Sequence, residues 1–158
     1  MLTRALAALL AGAIVSPPAV VHAKPMHVFV VTHISAKEGW QKVRLMLGGK
    51  GSLHFNASGT WVFNPSQLPV DGDGAANLPT AGRTNYTFSG PQGREGQLIG
   101  KIGDGAPFVA GAHGIHEIEQ REIGRLYLMI NDDYRQTAGR GLADNSGSLR
   151  VRIDYERQ

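Results

Sequence analysis

The chain has 158 residues, 42% of them hydrophobic and 18% charged, with 21 Gly, 8 Pro and no Cys. That length holds one sizeable core, the apolar share excludes a wholly disordered chain, and the missing cysteines exclude disulfide scaffolds, thiolate metal sites and thiol nucleophiles. A net charge of +3, without any basic cluster, does not argue for nucleic acid, and the high glycine content favours a turn-rich all-β protein.

Residues 1–23 (MLTRALAALLAGAIVSPPAVVHA) read as a secretory signal peptide. Arg4 precedes an apolar run from Ala5 to Val15, followed by Pro17-Pro18 and the small-residue exit Val21-His22-Ala23. The run is too short to cross a bilayer core of about 30 Å as a helix, and no later stretch is apolar enough to do so. The expectation is therefore an exported protein, periplasmic or secreted, with one β-sandwich domain over 24–158 and no transmembrane segment.

From Met26 onward the dominant period is two, the signature of strands with one face in a core. In chain order, 26–33 (MHVFVVTH) is a candidate strand, then Val43, Leu45 and Leu47 alternate with Lys42, Arg44 and Met46. Leu53, Phe55 and Ala57 follow, then the weaker candidates 60–63, 84–88 and 97–102. Residues 114–123 (GIHEIEQREI) fit a short helix or a charged edge strand. Leu126, Leu128 and Ile130 alternate again, and the clearest case is last, with Leu149, Val151, Ile153 and Tyr155 against Arg150, Arg152, Asp154 and Glu156. Turn signals such as Gly48-Gly49-Lys50-Gly51, Asp71-Gly72-Asp73-Gly74 and Asn145-Ser146-Gly147 separate them. About eight short strands at this spacing predict an antiparallel sandwich or jelly roll. The region 64–83 reads as loop.

Asn131-Asp132-Asp133 ends one predicted strand and Asp144-Asn145-Ser146-Gly147-Ser148 opens the next. A loop joining consecutive strands brings both groups to one end of a sandwich. Their carboxylates and amide carbonyls are hard oxygen donors of the kind Ca²⁺ collects, although the same residue types also form ordinary turns. Asp71 and Asp73 resemble part of a calcium loop, but the EF-hand pattern is not completed. His113, His116, Glu117 and Glu119 lack the H-E-x-x-H spacing of a zinc protease, and no G-x-S-x-G elbow or phosphate-binding loop is present. Catalysis has little footing, and the reading is of a non-enzyme. Trp40 reads as core or sheet-end packing; Trp61, before the 64–83 loop, fits either burial or stacking on a sugar.

Several of these pieces occur in the order found in one family. Gly39-Trp40-Gln41, Ala57-Ser58-Gly59-Thr60-Trp61, Gly90-Pro91-Gln92-Gly93, Leu98-Ile99-Gly100-Lys101-Ile102-Gly103, Pro107-Phe108-Val109-Ala110-Gly111, Gly124-Arg125-Leu126-Tyr127-Leu128, Asn131-Asp132 and Asp144-Asn145-Ser146-Gly147-Ser148 together resemble the LecA-like lectins, calcium-dependent galactose-binding bacterial proteins. The resemblance spans about 39–155. It implies an all-β, antiparallel jelly-roll sandwich of the galactose-binding-domain-like type, with Ca²⁺ as cofactor. It also implies metal ligands at Asp132, Asp144, Asn145 and Thr137, completed by a backbone carbonyl after Trp61. Two hydroxyls of a glycan, or of another neutral polyhydroxylated ligand, then coordinate the ion directly. The loop 132–144 is longer than in compact galactose binders, and the segment after Gly93 that carries galactose contacts is absent, so galactose specificity does not transfer. Trp61, Asp71 and Asp73 stand as candidate rim residues for carbohydrate. A homo-oligomer is expected on the ground that weak sugar sites gain from avidity. The rival expectations are a calcium-stabilised structural sandwich without sugar binding and an exported metal-dependent hydrolase using His113, His116 and Glu117.

Overall fold

The structure is a computed structural model that describes residues 26–133 and 141–158. The expected signal peptide and Thr137 lie outside these residues. Eight strands, β1 (Met26–Ser35), β2 (Gln41–Leu47), β3 (Gly51–Val62), β4 (Gln97–Ile102), β5 (Phe108–Val109), β6 (Ile115–Ile118), β7 (Gly124–Asn131) and β8 (Ser146–Arg157), form two four-stranded sheets. One sheet has the order β1-β8-β3-β6, the other β2-β7-β4-β5, and every pairing is antiparallel. A 3-10 turn, Gly141–Asp144, precedes β8.

The period-two pattern translates directly into layers. On β8, Leu149, Val151, Ile153 and Tyr155 are buried, while Arg150, Arg152 and Glu156 face outward. They meet Leu53, Phe55 and Ala57 of β3 and Ile34 of β1 on one side of the core. Val43, Leu45 and Leu47 of β2, Leu98 and Ile102 of β4, and Leu126, Leu128 and Ile130 of β7 form the other side. One contiguous apolar layer between two sheets is the arrangement that buries a single face of each.

Three expectations are corrected. The separate strands read at 53–57 and 60–63 are one twelve-residue strand, β3. Gly59, at φ 99°, carries the chain through while staying paired to Leu149. Residues 84–88 do not form a strand; their backbone groups go to turns and to a side chain, with Phe88 N–H donating to Asn131 Oδ1 and Phe88 C=O accepting from Asn131 Nδ2. Of the two readings of 114–123, the edge strand holds, as β6 over Ile115–Ile118. Trp40 is half-buried rather than core, with the Lys101 ammonium 5.0 Å from its ring centroid.

The topology gathers chain ends on one rim. β1, β3 and β7 finish where β2, β4 and β8 begin, as the pairs Ser35↔Ser148, Val62↔Ser146 and Gln97↔Asn131 record. Asp132 follows β7 directly and Asn145 precedes β8 directly, so both arrive at that rim.

Candidate functional site

At the rim Asn131 acts as a clamp. Fully buried, it donates from Nδ2 to Thr80 Oγ1, Phe88 C=O and Arg94 C=O, at 3.2, 3.0 and 3.0 Å, and accepts from Phe88 N–H at 2.9 Å. This holds the 80–95 loop against the end of β7. The next residue, Asp132, is 6% exposed. Its Oδ1 accepts from the Asp133 N–H at 2.7 Å and its Oδ2 from Asn145 Nδ2 at 2.8 Å. Among the described residues no Lys, Arg or His forms an ion pair with it.

Asn145 is 1% exposed, and the orientation of its amide is set by chemistry. Nδ2 lies between two groups that can only accept, Asp132 Oδ2 and the Ala36 carbonyl at 3.1 Å, so the nitrogen must occupy that side. Its Oδ1 is therefore turned the other way, where it is buried and meets no donor among the described residues. A buried amide oxygen without a partner costs about 1–3 kcal/mol, so such an atom calls for an explanation.

The electrostatics point the same way. Burial pushes the Asp132 carboxyl up to about 6; the negative charges of Asp144 and Glu95 push it further, and the hydrogen bonds from Asn145 and Asp133 offset only part of this. Asp144, half-buried at the end of the 3-10 turn, thus shares the field of Asp132. Asp133 is also buried, at 5% exposure. The Asp132 carboxylate, the Asn145 amide oxygen without a donor among the described residues and the Asp144 charge within electrostatic reach gather hard oxygen donors at this rim. Among the described residues no three His, Asp or Glu side chains converge by themselves into a metal cage. A cation here would draw on amide and carbonyl oxygens as well as Asp132 and Asp144.

Two residues not singled out from the sequence, Glu95 and Tyr86, lie within electrostatic reach of Asp132, and Arg83 sits behind them. Glu95 pairs with Arg83, whose guanidinium carbon lies 4.3 Å from the centroid of the Tyr86 ring. Tyr86 is 8% exposed, and burial together with the Glu95 and Asp132 charges raises its phenol well above the usual range. They come from a loop without periodicity, and no sequence pattern ties them to Asp132; only the Asn131 clamp does.

The other expected site residues fall elsewhere. Trp61 is a correction: it is 1% exposed, with Nε1 donating to Gly96 C=O at 2.7 Å, so its ring is core and offers no face to a sugar. The Trp61 carbonyl accepts from Val70 N–H. Asp71 is exposed and accepts from the Asp73 N–H at 2.9 Å, an ordinary Asx turn. Asp73 spends one oxygen on the Ala112 N–H at 2.8 Å and lines a cavity of about 490 Å³ with Gln92, Arg94 and Gln97. Neither Asp71 nor Asp73 contacts Asp132 or Asn145. His113 is exposed on a turn, whereas His116 stacks on Phe108 at 3.7 Å and meets Glu122 at 3.3 Å, so the two histidines are not brought together.

The site thus rests on its own geometry: the chain matches no family model, and no curated protein matches it.

Proposed function

We propose that this protein is an exported calcium-binding module that recognises a glycan, or another neutral polyhydroxylated ligand, at the rim. The observation that carries the reading is the buried Asn145 Oδ1 beside the buried Asp132 carboxylate, the first with no donor and the second with no counter-ion among the described residues. Calcium supplies the missing positive charge and takes six to eight oxygens, leaving room for ligand hydroxyls beside the protein donors. Asp132, Asp144 and Asn145 would hold it, with Thr137 as a further hydroxyl donor; Asn131 and Ala36 position the first and last of these three. We read the strand order as a jelly roll. The chain changing sheet at every connection but β4–β5, with the first and last strands paired at one edge, supports that reading. The export assignment rests on the tripartite pattern of residues 1–23.

Thermal melting in EDTA and in excess CaCl₂, each with and without a sugar panel, tests the proposal. A ligand of the folded state at a hundredfold excess over its dissociation constant adds about 2.7 kcal/mol, several degrees in this size range. The expected outcome is a calcium shift that Asp144→Ala removes and that at least one sugar extends. A calcium shift that no sugar extends leaves a structural calcium module. The absence of any calcium shift sinks the site.

A further inference from the structure

Each sheet has two edge strands, and exposed edges invite pairing with another chain unless they are blunted. Three of the four edges here are. β5 has two residues and β6 four. β2 presents Lys42 and Arg44 outward and slips register against β7 between Lys42 and Met46. β1 differs: ten residues, MHVFVVTHIS, with no Lys, Arg, Asp, Glu or Pro and an unbroken ladder to β8 from Met26 to Ser35. Its outward side exposes Phe29 at 56% and Val31 at 40%. On its inner side Val28 and Val30 pack against the core but remain only partly buried.

We propose that β1 is a homodimer interface, pairing antiparallel with β1 of a second copy about a two-fold axis at Val30 to make one continuous eight-stranded sheet. The sequence of the strand is self-complementary in that register. Phe29 falls opposite Val31 of the second copy and Val31 opposite its Phe29, two aromatic–β-branched pairs of the kind that stabilise sheets. Val28 faces Thr32, and Val30 faces its own copy, so the half-covered edge of each core is closed by the other.

The charges on β8, one strand behind β1 and joined within each copy as an Arg152–Asp154 ion pair, are compatible with this register. β8 places Asp154 beside Phe29 and Arg152 beside Val31. An axis at Val30 therefore aligns Asp154 of one copy with Arg152 of the other, and Glu156 (beside His27) with Arg150 (beside His33). Moving the axis to Val31 lines Arg152 up with its own copy, and moving it to Phe29 does the same to Asp154. Both are like-charge rows. A second copy of this chain is thus the occupant that fits the self-complementary apolar pattern of Phe29 and Val31 without bringing like charges into one row.

Sedimentation velocity of the purified protein over the micromolar range should show a dimer. Val31→Lys, an exposed substitution that leaves the core untouched, should convert it to a folded monomer whose cooperative melt no longer depends on protein concentration. The chain has no cysteine, so cross-linking reads cleanly. Phe29→Cys and Val31→Cys proteins, mixed under mild oxidation, should form a mixed disulfide dimer, because directly opposed residues lie within disulfide range. A monomeric native protein overturns the proposal. So does a dimer that survives Val31→Lys, or a Val31→Cys protein that cross-links to itself as readily as to Phe29→Cys. If Val31→Lys fails to fold, the cross-linking arms decide alone.

Discussion

A single amide carries most of the chemistry at the rim. Asn145 satisfies two acceptors through Nδ2 while its Oδ1 has no donor among the described residues. Asn145→Ala should therefore act twice. It leaves Asp132 Oδ2 and Ala36 C=O without their donor, costing about 1–3 kcal/mol, and it removes the calcium response, both read from melting with and without CaCl₂. The pH dependence follows from Asp132, whose folded carboxyl is raised to about 6 from the ordinary 3.8. Raising the folded value means that ionisation is disfavoured in the folded state. The penalty is absent below pH 3.8, grows up to about pH 6 and is complete above it. In EDTA the melting temperature should thus rise as pH falls from 7.5 to 5, and Asp132→Ala should flatten that rise. Calcium, which needs the ionised carboxylate, should oppose it.

At the scale of elements, the rim depends on one strand end holding a loop. Asn131, the last residue of β7, makes four hydrogen bonds to the 80–95 segment. Replacing it with Ala strands the Phe88 N–H, while Phe88 C=O keeps the Thr80 hydroxyl and Arg94 C=O the Gln97 N–H, and should destabilise the fold by about 1–3 kcal/mol, seen as a lower denaturant midpoint. Gly147 constrains the other side of the rim. At φ 86° it sits where an added Cβ would lie 2.8 Å from Thr60 C=O, so Gly147→Ala should cost about 1–3 kcal/mol and displace Asn145. A calorimetric titration with CaCl₂ reads the second effect. These elements also show where sequence patterning succeeds. β7 and β8 alternate cleanly because each faces a core on one side only. The 84–88 segment alternates in hydropathy too, but its backbone is claimed by Asn131 and adjoining turns, and no ladder forms.

For the whole molecule, two layers sharing one apolar interior hold six strand ends on a common rim, and that rim is where loop chemistry accumulates on a β-sandwich. The edge strands set its other possible surface. If β1 pairs with a second copy, the Asp132 sites belong to a two-fold assembly, and glycan binding to a multivalent surface should be stronger for the native protein than for Val31→Lys, although a single soluble sugar should bind both equally. Surface-immobilised and free ligand, compared side by side, check this.

Much of this architecture was legible in the amino-acid order. Period-two alternation in β2, β3, β7 and β8 determined the two-layer class, because a strand with one buried face must repeat every second residue. The acidic groups at Asp132 and Asp144-Asn145 were visible as neighbours across one loop, since consecutive antiparallel strands return to the same end. What only the tertiary structure decided is contact between residues distant in sequence. Trp61 is core because Gly96 offers its indole N–H a carbonyl; Tyr86 and Glu95 come within electrostatic reach of Asp132 because Asn131 clamps their loop; and Asn145 Oδ1 has no donor among the described residues because Ala36 and Asp132 together claim the other end of the amide. Hydropathy records whether a side chain is buried, but which partner it meets is set by how the chain closes on itself.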